Sequence, residues 1–343
     1  MGVAIRELLK KKDIEIPDLK GKTIAVDGAN QLYQFLTTIR QHDGSVFTDS
    51  EGRTTSHLIG LLSRTSNLMK NGLKLVYAFD GKVPDLKRAE TRKRMAAKEE
   101  AARKFEEAKE AHDVDEMKKY AGRTSRLTSE MLDDAKELLD AFGIPYITAP
   151  SEGEAQAAFM VRKGDCYAVA SQDADCLLFG APLVIRNLSI SGRRKLPGKL
   201  GFVNVVPQLI SLSENLESLG ITREQLIYLS MLVGTDYNTG GIKGIGPKKA
   251  LSIVKKHNSP KKIFEEVKWS DYFTTDWQEI YDLIYSMPAV EDYELKFGSV
   301  NPQKAIEILC EKHGFARDRV EKAIADIKGG QKDSSQKGLM DFA

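Results

Sequence analysis

The chain has 343 residues, a formal net charge of +2 and three cysteines. That length can bury one large domain or two ordinary ones, and no apolar run approaches the length of a membrane span. Cys166, Cys176 and Cys310 lack C-x-x-C spacing and are odd in number, which argues against a zinc site or a disulfide framework and for reduced core residues.

Met1 to Lys12 has apolar positions but neither an h-region nor a cleavage site, and Arg6 stands where a myristoylation signal beginning at Gly2 wants Ser or Thr. A soluble intracellular protein is expected. Its charge is unevenly spread. Lys82 to Lys104 holds nine Lys or Arg against four acids, Lys243 to Lys262 holds seven lysines and no acid, and Arg186 to Lys199 holds five basic residues and no acid. Three such runs beside clustered carboxylates point to a basic surface around an acidic pit, and so to a polyanionic partner.

In chain order, Lys22 to Asp27 is a β-branched run that ends in an acid, and Gly28 to Ile39 has the composition of a helix. A loop follows over Gly44 to Arg53, then a helix over His57 to Asn71 with an apolar face of Leu58, Leu61, Leu62 and Leu68. Leu73 to Asp80 repeats the first pattern, a buried strand closed by a carboxylate. From Leu86 to Tyr120 the sequence is rich in strong helix formers and poor in apolar residues, as expected of a projecting charged helix rather than a core one. Lys87, Arg94 and Lys98 fall on one face of it. Gly122 to Thr128 is a joint, Ser129 to Ala141 a helix and Phe142 to Thr148 a turn and short strand.

Ser151 and Glu154 have capping-box spacing, which gives Glu154 a purely structural reading; Glu152 has none. A helix to Lys163 precedes the strand Tyr167 to Gln172, after which Asp173 and Asp175 sit two positions apart and, in extended backbone, on one side. A turn reading competes with a metal reading for this pair. Leu183 to Leu188 and Leu200 to Val205 read as an antiparallel hairpin with a basic tip, and helices fill most of Val206 to Ile327. Strands separated by helical crossovers imply an α/β fold with a mostly parallel twisted sheet and helices on both faces. Ligands in such sheets gather beyond the carboxyl ends of the strands. Asp27, Asp80 and Asp173 all fall there, and Asp175, Glu152 and Glu154 add to the set.

An all-carboxylate site without His or Cys selects Mg²⁺ or Mn²⁺ over zinc, and two such ions roughly 4 Å apart serve phosphodiester hydrolysis. No G-x-x-x-x-G-K-[ST] occurs, so an ATPase is not expected. Gly241 to Lys249, G-I-K-G-I-G-P-K-K, joins two predicted helices, Ile221 to Leu232 and Ala250 to Lys256. Its glycines expose backbone N–H groups at a helix N-terminus, with Lys248 and Lys249 adding charge, the pattern of a helix-hairpin-helix grip on a DNA backbone. Asp236 in G-T-D-Y would tie that grip to the acidic site.

The motifs V-D-G-A-N-Q-L-Y, T-T-S-H-L, F-D-G-K-V-P-D-L-K, P-S-E-G-E-A-Q-A, S-Q-D-A-D-C-L-L-F-G, G-T-D-Y-N and G-I-K-G-I-G-P-K-K-A resemble, in order and spacing, those of flap endonucleases, the structure-specific 5′ nucleases of the XPG superfamily. The resemblance spans nearly the whole chain and looks more like the archaeal form, given the short end after residue 330. It implies a PIN/5′-nuclease-like fold with one nuclease domain over 1–327: an N-terminal segment over 1–80, a helical arch over 81–128, an internal segment over 129–240 and a helix-hairpin-helix with C-terminal helices over 241–327. It implies that Asp27, Asp80, Glu152, Glu154, Asp173, Asp175 and Asp236 bind two Mg²⁺ ions, replaceable by Mn²⁺. Lys87 and Arg94 then contact the scissile phosphate beside Asp80 and Glu152, and Tyr33 stacks on a base, although by sequence alone a tyrosine there reads equally well as core. Gly2, Gly244, Gly246, Lys248 and Lys249 are assigned to DNA binding, and the hairpin to K⁺ through its carbonyls.

Residues 328–343 read as a disordered tail whose isolated apolar residues suggest docking on a partner. Gln336, Leu339 and Phe342 resemble the sliding-clamp (PCNA) motif Q-x-x-h-x-x-a-a, with Ala343 in place of the last aromatic. The expected activity is cleavage of 5′ flaps on branched DNA at the junction with duplex, with a lesser 5′-3′ exonuclease activity, in Okazaki fragment maturation and base excision repair. A monomer without membrane contact is expected, cytoplasmic in an archaeal cell and nuclear in a eukaryotic one. The alternatives are a non-catalytic clamp-tethered DNA adaptor, or a related 5′ exonuclease or bubble nuclease.

Overall fold

The computed structural model describes residues 3–190, 192–195 and 202–340, and within them the side chains of all but 190, 192–195, 202–204 and 332–340. The strands are β1 (Lys12–Asp13), β2 (Thr23–Asp27), β3 (Lys74–Phe79), β4 (Tyr146–Thr148), β5 (Ala168–Ala170), β6 (Leu183–Arg186), β7 (Gly192–Lys195), β8 (Phe202–Val205) and β9 (Gln208–Ser211). The chain divides into two compact units.

The first unit comprises residues 1–14, 78–91 and 148–291. Its strands run in the order β1-β9-β6-β5, with β5 parallel to β6 and β9 antiparallel to both β6 and β1. β5 is short and apolar, with Ala168 and Val169 fully buried, and it packs on the preceding helix Gly153–Lys163, which buries Ala157, Ala158 and Met160. The predicted hairpin is corrected in its strand partner. Its antiparallel partners are β7 and β8, while β6 joins the main sheet instead. Gln208–Ser211, expected in a helical region, is the strand β9. Its alternation of polar and apolar residues is too short to be told from a helix start, and only pairing with β6 and β1 decides it.

The second unit comprises residues 15–77, 92–147 and 292–343. Here β2, β3 and β4 lie side by side, and the Lys74 N–H donates to the Lys22 carbonyl at 2.9 Å, the Tyr77 N–H to that of Pro145 at 3.0 Å. The helix Ser56–Lys70 buries Leu58, Leu61, Leu62 and Leu68, the predicted face. The polar stretch divides into Arg88–Glu110 and Val114–Ala121. His112 takes a left-handed φ of 54° at the break, and Asp113 caps the second helix through the Asp115 and Glu116 N–H groups. Within Arg88–Glu110 only Ala101 and Ala108 are buried, as a helix without an apolar stripe requires.

The helix starting at Arg317 continues to Met340, where a disordered tail was expected from residue 328. Gly329 and Gly330 do not end it. A Cβ on Gly330 would meet the Met69 carbonyl oxygen at 1.8 Å, so the helix runs close against Ser56–Lys70 at this glycine, and packing overrides its low helix propensity.

Candidate active site

The first unit gathers the acids in two walls. Asp80 follows β3, and its Oδ1 accepts the Gly153 N–H at 2.7 Å at the start of the helix Gly153–Lys163. A carboxylate there is favoured by the unpaired N–H groups and the positive end of the helix. Residue 153 has little room for a side chain, since a Cβ would stand 3.1 Å from both Asp80 Oδ1 and the Ala78 carbonyl. Glu152, at the N-cap position but making no cap bond, turns its side chain instead to Lys87. Lys87 Nζ donates to Glu152 Oε2 at 2.7 Å and lies 3.2 Å from Asp236 Oδ2.

The second wall is the loop after β5. That strand ends at Ala170, so Asp173 and Asp175 are not an extended i, i+2 pair; Asp175 opens the short helix Asp175–Leu178. The apolar run is legible in sequence, but the Ser171–Ala174 turn that ends it is built by side-chain bonds that are not. Ser171 Oγ accepts the Asp173 N–H at 3.1 Å and donates to Glu154 Oε1 at 2.8 Å, which Cys176 Sγ also approaches at 3.2 Å. Glu154 therefore faces the site and forms no capping box with Ser151. Arg6 Nη2 donates to Asp173 Oδ1 at 2.8 Å and to the Gln172 carbonyl at 2.9 Å, and the Val3 N–H donates to Asp175 Oδ1 at 2.8 Å.

The electrostatics tie the walls together. Burial raises the Glu152 pKa, with Asp80 and Asp236 acting in the same sense against the pull of Lys87. Asp175 is pushed up to about 6 by desolvation, offset in part by the Val3 N–H and reinforced by Asp236 and Asp173. For Lys87, burial works against the charge, and Glu152, Asp236 and Asp80 outweigh it, so its pKa rises. Tyr237 Oη stands 3.4 Å from Glu152 Oε1 and is held protonated by burial and by Glu152, Asp175, Asp236 and Glu154. Six acids thus share one field with a surplus of negative charge, the condition under which a hard cation is bound. Among the described residues no three His, Cys, Asp or Glu side chains converge on one point at ligating distance. Lys87, Arg6 and the N–H groups of Val3 and Gly153 engage the carboxylates instead.

Asp27, the seventh acid, lies in the second unit. It is 3% exposed and caps the helix Gly28–Thr38, accepting the Asn30 N–H at 3.1 Å. In that unit Tyr33 is half-buried with Lys98 Nζ 4.5 Å above its ring, and it feels Arg94 electrostatically. In the hairpin, Ile242 is buried and its N–H donates to the Leu232 carbonyl at 2.9 Å. Gly241 is forced, since a Cβ would lie 2.3 Å from the Val233 carbonyl. Gly244 and Gly246 border open space, Gly246 is the N-cap of the helix Pro247–Lys256, and Lys248 and Lys249 are exposed. Gly2 and Phe342 lie outside the described residues, as do the side chains of Gln336 and Leu339 and most of the predicted basic tip.

Sequence reading missed Arg6, Val3, Ser171 and Tyr237. Arg6 and Val3 meet partners more than 160 positions away, beyond the reach of any local pattern. Tyr237 had one available signal, its place next to Asp236.

Six carboxylates around Lys87, with a glycine hairpin and exposed lysines in the same unit, fit a metal-dependent nuclease, and the chain matches the XPG class of nucleases. Residues 1–101 match the XPG N-terminal domain and residues 143–236 the XPG I-region. The chain is 50% identical over 331 residues to the flap endonuclease 1 of Hyperthermus butylicus, covering 96% of this chain and 94% of that one. With that of Thermococcus onnurineus it shares 50% over 339 residues, covering 99% and 98%. The solved flap endonuclease-1 from Methanococcus jannaschii superposes with a TM-score of 0.76 at 38% identity, over 97% of this chain and 99% of that one. The catalytic core of Rad2 in complex with DNA substrate, at 22% identity and a TM-score of 0.68 over 95% of this chain and 100% of that one, shares the fold. The chain belongs to the flap endonuclease family. It is a Mg²⁺-dependent structure-specific endonuclease of DNA replication and repair, with the mostly parallel twisted sheet and flanking helices of that family, and these relatives are archaeal.

Proposed function

We propose that Asp80, Glu152, Glu154, Asp173, Asp175 and Asp236, with Asp27 assigned by the family pattern, hold two Mg²⁺ ions for cleavage of a 5′ flap at its junction with duplex DNA. The observation that carries this is the shared field of six carboxylates, in which Lys87 already takes the place of a cation between Glu152 and Asp236. When bound, two such ions supply an activated water and stabilise the leaving oxygen. The protein's own groups do the rest. Lys87 and Arg94 stabilise the charge that builds on the phosphate oxygens, Tyr33 stacks on the base beside the cleaved bond, and Tyr237 keeps Glu152 turned towards Lys87. Backbone N–H groups around Gly244 and Gly246, with Lys248 and Lys249, grip the duplex through its phosphates without reading sequence. Gly2 adds to the DNA surface, and K⁺ bound by hairpin carbonyls would steady the turn.

The long helix with its companion Val114–Ala121 acts as the arch that selects a free 5′ strand, and shorter 5′ ends are trimmed as a lesser 5′-3′ exonuclease reaction. Gln336, Leu339 and Phe342 tether a monomeric, cytoplasmic enzyme to the sliding clamp, weakened by Ala343. Labelled flap, nick, bubble and single-strand substrates test the reading together. The flap should be cut fastest, in Mg²⁺ and not in EDTA, and a preference for bubble or single strand would overturn it. A bulky group on the 5′ end before mixing should suppress cutting if the flap threads the arch.

A further inference from the structure

The turn between Thr235 and Gly241 reaches the start of the long helix at two points, only one of which belongs to the acidic site. Its inside is fixed by Asn238, 3% exposed, whose Oδ1 accepts the Thr235 N–H at 3.2 Å and Oγ1–H at 2.6 Å while Nδ2 donates to the Met231 carbonyl at 2.7 Å. With its core wired in this way, the turn presents its other side chains outward at set positions. Asp236 meets Lys87, as described. Thr239 Oγ1 donates to Glu90 Oε2 at 2.6 Å.

The spacing of these contacts gives them a joint effect. Glu90 follows Lys87 by three residues, and Thr239 follows Asp236 by three. Lys87 ends a single 3₁₀ turn, Asp85–Lys87, and Glu90 lies in the first turn of the helix Arg88–Glu110. Lys87 is anchored to Glu152 and Asp236 through one flexible side chain, which leaves the helical turn beyond it room to rotate about that ammonium. A second contact one helical turn on removes the rotation, because residues three apart face the same side of a helix. The bond is charge-assisted and short, hence among the stronger kinds for its exposure.

We infer that Thr239 is a positioning residue for the reaction. Through Glu90 it fixes the first turn of the long helix and so the place of the Lys87 ammonium. The inference rests on the role proposed above for Lys87 at the scissile phosphate. Thr239 also stands two residues before Gly241, so the hairpin that grips the duplex and the helix that begins directly after Lys87 are joined by one short wired segment.

The experiment uses the full chain with Thr239→Val, which keeps the volume and removes the donor, and Thr239→Ser, which restores it. Two readouts are taken: amide hydrogen exchange over residues 86–91 without DNA, and single-turnover flap cleavage in Mg²⁺ alongside the flap Kd. With Thr239→Val, exchange should speed up and the cleavage rate fall by about fivefold, the equivalent of one lost hydrogen bond. The Kd should stay within about twofold, and Thr239→Ser should recover both readouts. Wild-type exchange and rate in Thr239→Val, or a loss that Thr239→Ser fails to restore, would overturn the inference. Lys87→Ala separates the two ideas. Wild-type cleavage in that variant removes the proposed role of Lys87 and with it the catalytic half of the inference, whereas the exchange readout still judges the Thr239–Glu90 contact.

Discussion

The ammonium of Lys87 donates to Glu152 at 2.7 Å, with only 19% of the lysine side chain exposed. A cation from the protein thus sits among the carboxylates that hold metal in the proposed function. Since burial opposes that charge and Glu152, Asp236 and Asp80 more than restore it, Lys87 stays protonated throughout the working pH range. Metal and Lys87 then compete for Glu152 and Asp236. Lys87→Met should bind Mn²⁺ more tightly than wild type in calorimetry without DNA, yet cleave flaps about 10²-fold more slowly, because a preorganised charge on the phosphate is lost. Unchanged Mn²⁺ affinity would mean that Lys87 does not compete for these ligands.

Arg6 makes a similar contact with Asp173 from the N-terminal segment. Its side chain is 43% exposed, so screening by water limits what the pair adds to stability. Arg6→Ala should leave the melting temperature within a few degrees of wild type while shifting the Mg²⁺ dependence of cleavage, because Asp173 loses a fixed orientation. A Mg²⁺ titration of flap cleavage for both proteins checks this, and superimposable curves would count against it.

Gly330 approaches the Met69 carbonyl so closely that any side chain must push the C-terminal helix away. Gly330→Ala should therefore destabilise the second unit by about 1–3 kcal/mol despite alanine's better helix propensity. Urea unfolding of the two proteins measures it. A stabilised Gly330→Ala would show that the helix does not pack there.

His57 is fully buried, and neither ring nitrogen meets a hydrogen-bond partner among the described residues. Burial lowers its pKa to about 4, against the pull of Asp134 and with the push of His313. The folded value lies below the unfolded 6.5, so this contribution is complete above pH 6.5 and is lost as the pH falls towards 4. The loss amounts to about 3 kcal/mol. Between pH 7 and pH 4, wild type should lose that much more stability than His57→Leu in urea unfolding. Equal losses would place the proton elsewhere.

Much of this was legible because strand ends announce themselves. The runs closing at Asp27 and Asp80 are apolar enough for burial and each is followed by an acid, so the strands and their carboxylates could be placed together. The turn after β5 was not legible, since Ser171 and Cys176 shape it through Glu154 and no period in the sequence encodes that. Nor was the pairing of β6. Its Leu-Val-Ile-Arg suits β8 as well as β9, and the choice lies in long-range packing. The helix past Gly329 and Gly330 was hidden because glycine reads as a breaker unless its neighbour across the interface is known.

In the proposed function, the acids around Glu152 and Asp173 carry Mg²⁺-dependent flap cleavage. The most direct test is single-turnover cleavage of a labelled 5′ flap by Asp173→Ala across a Mg²⁺ titration, with flap binding measured in parallel without metal. Binding should persist while cleavage is lost at every Mg²⁺ concentration. Cleavage by Asp173→Ala at the wild-type rate would contradict the assignment.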